Sequence, residues 1–283
     1  MLDNFQITGE VKICEDFHIK ETDVFDPADF ISILEGDLLG VMMRDYVSAP
    51  DCATICKNFE TYDGRYTRGA DAPAIYAGTY HYHKELAQYF DEAEAANRTL
   101  PKLFDRAADP VARFRAGMQA ALDARGRAFR SARWNNQDAC QFVMRKWTDT
   151  GSFSLKPHDD EAQCKDPRQS EFEIQEALAE NALCAINICL QNDEGGQLRI
   201  WNIRPDDATR ARLGLETTGS PYPTELLADV PYVDIAIRPG DLYAFDGRYV
   251  HAVTQLGAGG GATRATLAFL LAHKGRDETI QWS

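Results

Sequence analysis

Apolar positions along this chain recur at two different periods, and the change between them divides it. Up to residue 138 the spacing is mainly helical; from 139 to 283 it is that of short strands. Residues 1–20 predict one or two strands with a polar linker. Asp26-Pro27-Ala28-Asp29 reads as a helix start, with Pro27 early in the first turn, feeding the apolar run Phe30 to Leu34. Leu39 to Val47 is strand-like, after which Ser48-Ala49-Pro50-Asp51 caps a second helix through about Phe59. Gly64 to Ala77 reads as a loop. His81 to Asn97 and Asp109 to Phe129 carry apolar residues at helical spacing, including Val111, Phe114, Met118 and Leu122.

Downstream the strand-like runs are Gln141 to Thr148, Ser152 to His158, Ala182 to Leu190, Gln197 to Trp201, Tyr232 to Arg238, Asp241 to Phe245, Tyr249 to Thr254, Thr263 to His273 and Thr279 to Trp282. A short helix is expected near Glu171 to Leu178 and another starting at Asp206-Asp207, after Pro205. Turn chemistry separates the strands, as in Asn192-Asp193-Glu194-Gly195-Gly196 and Arg238-Pro239-Gly240-Asp241, and Ala258 to Ala262 reads as a flexible hairpin connection. Such a succession predicts a jelly-roll or barrel and not a parallel sheet. No linker-like stretch interrupts it. The expectation is one domain over 1–283, mainly β, with a helical supporting region at 1–138 packed on a β core at 139–283.

Composition narrows the class. The chain has 283 residues, of which 44% are hydrophobic and 26% charged, as expected for a globular protein with a sizeable core. No run of about 18 apolar residues predicts a transmembrane helix, and the N-terminus lacks the basic start and apolar stretch of a signal peptide, so a cytoplasmic location is expected. Seven cysteines at irregular spacing, with no Cys-x2-Cys pair, indicate neither a disulfide framework nor a zinc site. A net charge of −14 argues against nucleic acid as a partner. Oligomeric state is not legible.

Candidate chemistry centres on Lys156-Pro157-His158-Asp159-Asp160-Glu161. Positions i and i+2 of an extended strand share a face, so His158 and Asp160 can address one ion while Asp159 points away. His251, about ninety residues on, would complete a 2-His-1-carboxylate set, the ligand set of non-haem Fe(II) oxygenases. Arg264, thirteen residues further, lies in a β-run where a buried guanidinium needs an anionic partner. The C5 carboxylate of 2-oxoglutarate would serve, with Thr266 two along the same face adding a hydroxyl. Arg145 and Lys146 occupy opposite faces of one strand, so at most one points inward. His81-Tyr82-His83 reads as a helix start and not as a metal pair. Tyr76, Tyr80 and Tyr82 are expected in packing or at the surface, with a place on a substrate pocket as the alternative. Trp147 and Trp201 are expected in the core.

The order His-x-Asp, Gly-Gly-x-Leu, Pro-Gly-Asp, distal His, then Arg resembles the Fe(II)/2-oxoglutarate oxygenases of the double-stranded β-helix fold. More narrowly, Gly195-Gly196-Gln197-Leu198-Arg199-Ile200-Trp201-Asn202 and the ending from Phe269 to Ser283 look like the freestanding aliphatic halogenases of hapalindole-type alkaloid pathways. The resemblance runs from about residue 139 to the end. It implies a double-stranded β-helix core, Fe(II) held by His158, Asp160 and His251, and 2-oxoglutarate and O2 as cosubstrates, with succinate and CO2 released. In those halogenases the carboxylate position is glycine, which admits chloride to the iron. Here it is Asp160, so hydroxylation of an aliphatic C–H of a small metabolite is expected. Desaturation, epimerisation, ring closure and peptide hydroxylation stay open, as do a cupin-type enzyme without 2-oxoglutarate and a non-catalytic metal-binding β-barrel. Specificity is expected in loops at roughly 60–85, 160–180 and 205–230.

Overall fold

The computed structural model describes residues 5–68, 74–149, 151–257 and 261–283. Two sheets carry the architecture. From Val143 onward the chain passes back and forth between them. Val143–Thr148, Leu183–Asn192, Leu242–Asp246 and Thr263–Lys274 lie in the larger sheet; Leu155–His158, Leu198–Trp201, Tyr232–Ile235 and His251–Val253 form the smaller. The pairings among these eight strands are antiparallel. This is a double-stranded β-helix.

Burial explains the composition of the central strands. Leu183–Asn192 is buried over its first eight positions because one face meets helices and the other meets the smaller sheet. Thr263–Lys274 alternates with period two: Ala265, Leu267, Phe269 and Leu271 join the helix-side core, and Arg264, Ala268 and Leu270 look between the sheets. Its first half pairs with Val143–Thr148 and its second with Glu278–Trp282.

The helical layer comprises Pro27–Leu34, Ala49–Thr61, Leu86–Thr99 and Pro110–Asp123. Asp26, Ser48 and Asp109 cap three of these through side-chain oxygens that accept from Ala28, Asp51 and Val111 N–H groups. The N-terminal region is less purely helical than its pattern implied. Ile19–Thr22, Gly40–Met43, Ala74–Ala77 and Tyr66–Thr67 extend the larger sheet, and Ala128–Ser131 pairs with Glu278–Trp282. The stretch from Gly64 to Ala77 thus contains two short strands and is not simply a loop; residues 69–73 within it lie outside the described residues, as do 1–4 and 258–260 of the expected terminal strand and hairpin.

Two helix boundaries differ from the periodicity. The third helix starts at Leu86, not His81, because Gln169, far along the chain, donates to the carbonyls of His81 and Lys84 at 2.5 and 2.8 Å and holds that segment in a turn. The fourth ends at Asp123, where Gly126 at φ +69° reverses the chain and the Arg127 N–H returns to the Leu122 carbonyl at 2.9 Å. Phe129 therefore sits on a strand. No helix among the described residues is long and apolar enough to cross a membrane.

Phe114 locks the helical layer to the sheet, with its ring edge-on to Phe30 at 5.1 Å and to Phe269 at 5.2 Å. Replacing Phe114 by alanine should lower the unfolding free energy by about 3–5 kcal/mol, measured as a shift of the urea midpoint at constant slope.

Candidate metal centre and its cavity

The strand Leu155–His158 pairs with His251–Val253 in a register that sets His158 opposite His251. The imidazole centroids are 4.1 Å apart. Asp160, two residues beyond His158, turns back toward both rings, with its oxygens 3.6 Å from His158 Nε2 and 3.5 Å from His251 Nε2. Each Nδ1 faces a backbone carbonyl, that of Lys156 at 2.8 Å and that of Tyr249 at 2.9 Å. A carbonyl only accepts, so each Nδ1 carries the proton and each Nε2 presents its lone pair to the centre. One donor atom from each of the three residues lies within 4.8 Å of the other two.

Two neutral nitrogens and one carboxylate oxygen on one face fit a non-haem Fe(II) ion. Burial, reinforced by His158, holds His251 well below its ordinary value, in the neutral form that ligates. Burial also pushes the Asp160 carboxyl up, against the pull of His158, Arg145 and the Gln163 amide. A divalent cation would offset that desolvation.

The loop bearing Asp160 is anchored from behind. Asp159, fully buried, accepts from the Ala162 N–H at 2.8 Å, the Tyr222 hydroxyl at 2.7 Å and Arg210 Nη2 at 3.2 Å. Arg210 also donates to Glu161 at 2.8 Å. Burial would raise the Glu161 carboxyl, but Arg210 and Lys165 hold it below its ordinary range. The segment from 218 to 222 lies along the loop, with Asp159 N–H on the Gly219 carbonyl at 3.0 Å and Tyr222 N–H on the Pro157 carbonyl at 2.9 Å. Only glycine fits at 219, where a Cβ would come within 2.4 Å of the Asp159 carbonyl.

The donors open into a cavity of about 590 Å³. Arg264, fully buried on its wall, donates from Nη2 to the Tyr243 hydroxyl at 2.6 Å, and its Nε has no partner. Thr266 follows on the same strand face with an unpartnered hydroxyl, but is not among the residues lining the cavity. Arg145 is the inward residue of its strand; Lys146 turns away to Glu60.

Tyr76, Tyr80 and Tyr82 all line the cavity, correcting their expected place in packing or surface. Arg68 lies over the Tyr80 and Tyr82 rings at 4.4 and 4.5 Å. Thr218, Ser220 and Pro221 contribute from the segment hooked to Asp159. His81, buried on the wall with Nδ1 3.0 Å from Gln169, is depressed by burial to about 4 and belongs to no metal cluster among the described residues. Trp147 and Trp201 are buried and off the wall, although Trp147 lies 4.8 Å beneath Arg145 and 5.6 Å beneath Arg264. Sequence reasoning missed Tyr243, Asn187 and Gln163 as site residues. Strand alternation alone marks their faces, without saying which face meets the cavity.

A family profile for carrier-protein-independent halogenase WelO5 matches residues 16–283. The L-isoleucine 3(1)-dioxygenase of Pantoea ananatis (strain AJ13355) is 32% identical over 257 residues, covering 88% of this chain and 84% of the relative. Among solved structures, an N-substituted L-amino acid dioxygenase from Burkholderia ambifaria AMMD has the same fold, with a TM-score of 0.60, 16% identity and 91% of each chain covered. Its complex with alpha-KG gives a TM-score of 0.59 at 17% identity over 90% of each chain.

Removing Asp159 leaves Arg210 with only part of its anionic partner set. Asp159→Ala should cost about 3 kcal/mol, the low end for breaking a buried ion pair because Glu161 remains, and Tyr222→Phe about 1 kcal/mol, both read from urea unfolding.

Proposed function

The chain belongs to the carrier-protein-independent halogenase WelO5 family, and from that premise we propose that it hydroxylates an aliphatic C–H bond of a free amino acid. It is an Fe(II)- and 2-oxoglutarate-dependent oxygenase. The observation that carries hydroxylation over halogenation is Asp160. Its oxygens lie 3.6 and 3.5 Å from the two histidine Nε2 atoms, so a protein carboxylate takes the position that a halide would need.

In this reading His158, Asp160 and His251 hold the iron, their protons and rotamers set by Lys156, Tyr249 and Gln163. Arg264 receives the distal carboxylate of 2-oxoglutarate, with the Thr266 hydroxyl next along the strand face. The unpartnered Nε of Arg264, on the cavity wall, is what a carboxylate would satisfy. When bound, the metal and cosubstrates supply the oxidant for C–H cleavage, with 2-oxoglutarate leaving as succinate and CO2. The protein's own part is to orient the substrate and exclude water. A cavity of about 590 Å³ suits a small molecule beside 2-oxoglutarate. The amino-acid class is supported by the substrate in the name of the Pantoea ananatis relative.

Fe(II) and 2-oxoglutarate added anaerobically should give a weak visible charge-transfer band, altered in Asp160→Ala. In Arg264→Ala the affinity for 2-oxoglutarate should fall roughly 30-fold or more, as for loss of one partner of a buried charge pair. With O2 and L-isoleucine or another aliphatic L-amino acid, succinate should form together with a product heavier by one oxygen. Metal bound without the band would remove the 2-oxoglutarate reading, and a product lighter by two hydrogens would replace hydroxylation by desaturation.

A further inference from the structure

The cavity wall has a charge opposite to that of the protein. The chain carries a net −14. Yet the side chains lining the cavity include Arg68, Arg145, Lys156 and Arg264, and Asp160 is the only acid among the described ones. None of these four cations has a carboxylate within 4.0 Å among the described residues. Fe(II) and the 2-oxoglutarate dianion cancel each other, so the excess of cationic side chains persists in the loaded site. Lys156 is exposed and Arg68 half-buried, but the Nε atoms of Arg145 and Arg264 are buried without partners, and a buried guanidinium of this kind calls for an anionic group.

Arg145 is the cation built to receive it. Its Nη2 donates to Asn187 Oδ1 at 3.0 Å, which fixes the plane of the fork. Trp147 lies beneath the guanidinium at 4.8 Å. Its Nε is buried without a partner, and burial holds the group below its ordinary value, as an unpaired cation should be. In the sheet, Arg145 stands beside Thr266 on one side and Tyr76 on the other, one strand removed from Arg264. Arg264 is already matched to the cosubstrate.

Resting on the iron and 2-oxoglutarate reading above, we infer that Arg145 is the receptor for the substrate's α-carboxylate, and so sets the enzyme's preference for free amino acids over their carboxamides. A planar, pre-oriented guanidinium binds a carboxylate through paired N–H donors. It has no comparable contact with a carboxamide, whose nitrogen is itself a donor.

The test is anaerobic calorimetry on the Fe(II)/2-oxoglutarate complex, titrated with a panel of aliphatic and N-substituted L-amino acids and with the carboxamide of each binder. Wild type should prefer the acid over its amide by roughly 30-fold or more. Arg145→Gln should lose that preference while its charge-transfer band and 2-oxoglutarate affinity stay within about threefold of wild type, and Arg145→Lys should recover part of it. Undiminished discrimination in Arg145→Gln would overturn the assignment. So would a loss of 2-oxoglutarate affinity with discrimination intact, because Arg145 would then serve the cosubstrate. If the wild-type band forms but no free amino acid binds, the carboxylate assignment fails and the iron reading stands; if the band itself is absent, the iron and 2-oxoglutarate reading fails first.

Discussion

The antiparallel pairing of Leu155–His158 with His251–Val253 is the constraint on which the site depends. It sets two imidazoles side by side, tilted by 52° at a 4.1 Å centroid spacing. The same backbone that forms the pair also supplies the carbonyls that hold both Nδ1 protons. Orientation and protonation state are thus set by one piece of local geometry. Asp160 reaches the pair because the chain turns immediately after the strand, and that turn is fastened by Asp159 to Arg210 and Tyr222. The covering segment from 218 to 222 is hydrogen-bonded to the same turn, so part of the cavity wall and one metal donor share an anchor.

Electrostatics divides the molecule into two regions. Acidic residues dominate the chain as a whole, whereas the cavity wall gathers arginines without carboxylate partners. Several of its polar atoms, Arg145 Nε, Arg264 Nε and the nearby Thr266 hydroxyl, are buried with no hydrogen bond. Such groups cost stability in the free protein, a cost that a bound ligand would offset. The anchoring network behind the loop is of the opposite kind, since nearly every charge in it meets a complementary partner. Stability is concentrated behind the loop and unsatisfied polarity in front of it.

Membership of a family described as halogenases does not by itself fix the reaction. The fold delivers two histidines and an arginine to one cavity whether or not a carboxylate completes the set. In the proposed reading Asp160 is the side chain that supplies the anionic ligand from the protein itself. The relative from Pantoea ananatis is a dioxygenase, which agrees with the intact His-x-Asp pair.

Much of this was legible in the chain alone. Period-two runs after residue 139, the caps at Asp26, Ser48 and Asp109, and the donors His158, Asp160 and His251 with Arg264 are local patterns, written in neighbouring residues or in motif order. What the sequence could not determine were features whose partners are distant. The strand at Ala74–Ala77 exists because Val143–Thr148 offers an edge. The turn at His81 exists because Gln169 takes its carbonyl. The tyrosines at 76, 80 and 82 face the cavity because that edge and that turn place them there. Alternation told which of Arg145 and Lys146 could share a face with Trp147, but not which face was inside. The sequence by itself determined the element types and marked His158, Asp160 and His251 as candidate donors, since ligand chemistry and backbone periodicity are properties of short stretches. Tertiary structure decided the cavity wall, the anchoring of Asp159 and the unpaired state of Arg145, because burial and hydrogen-bond partners depend on which distant segments meet.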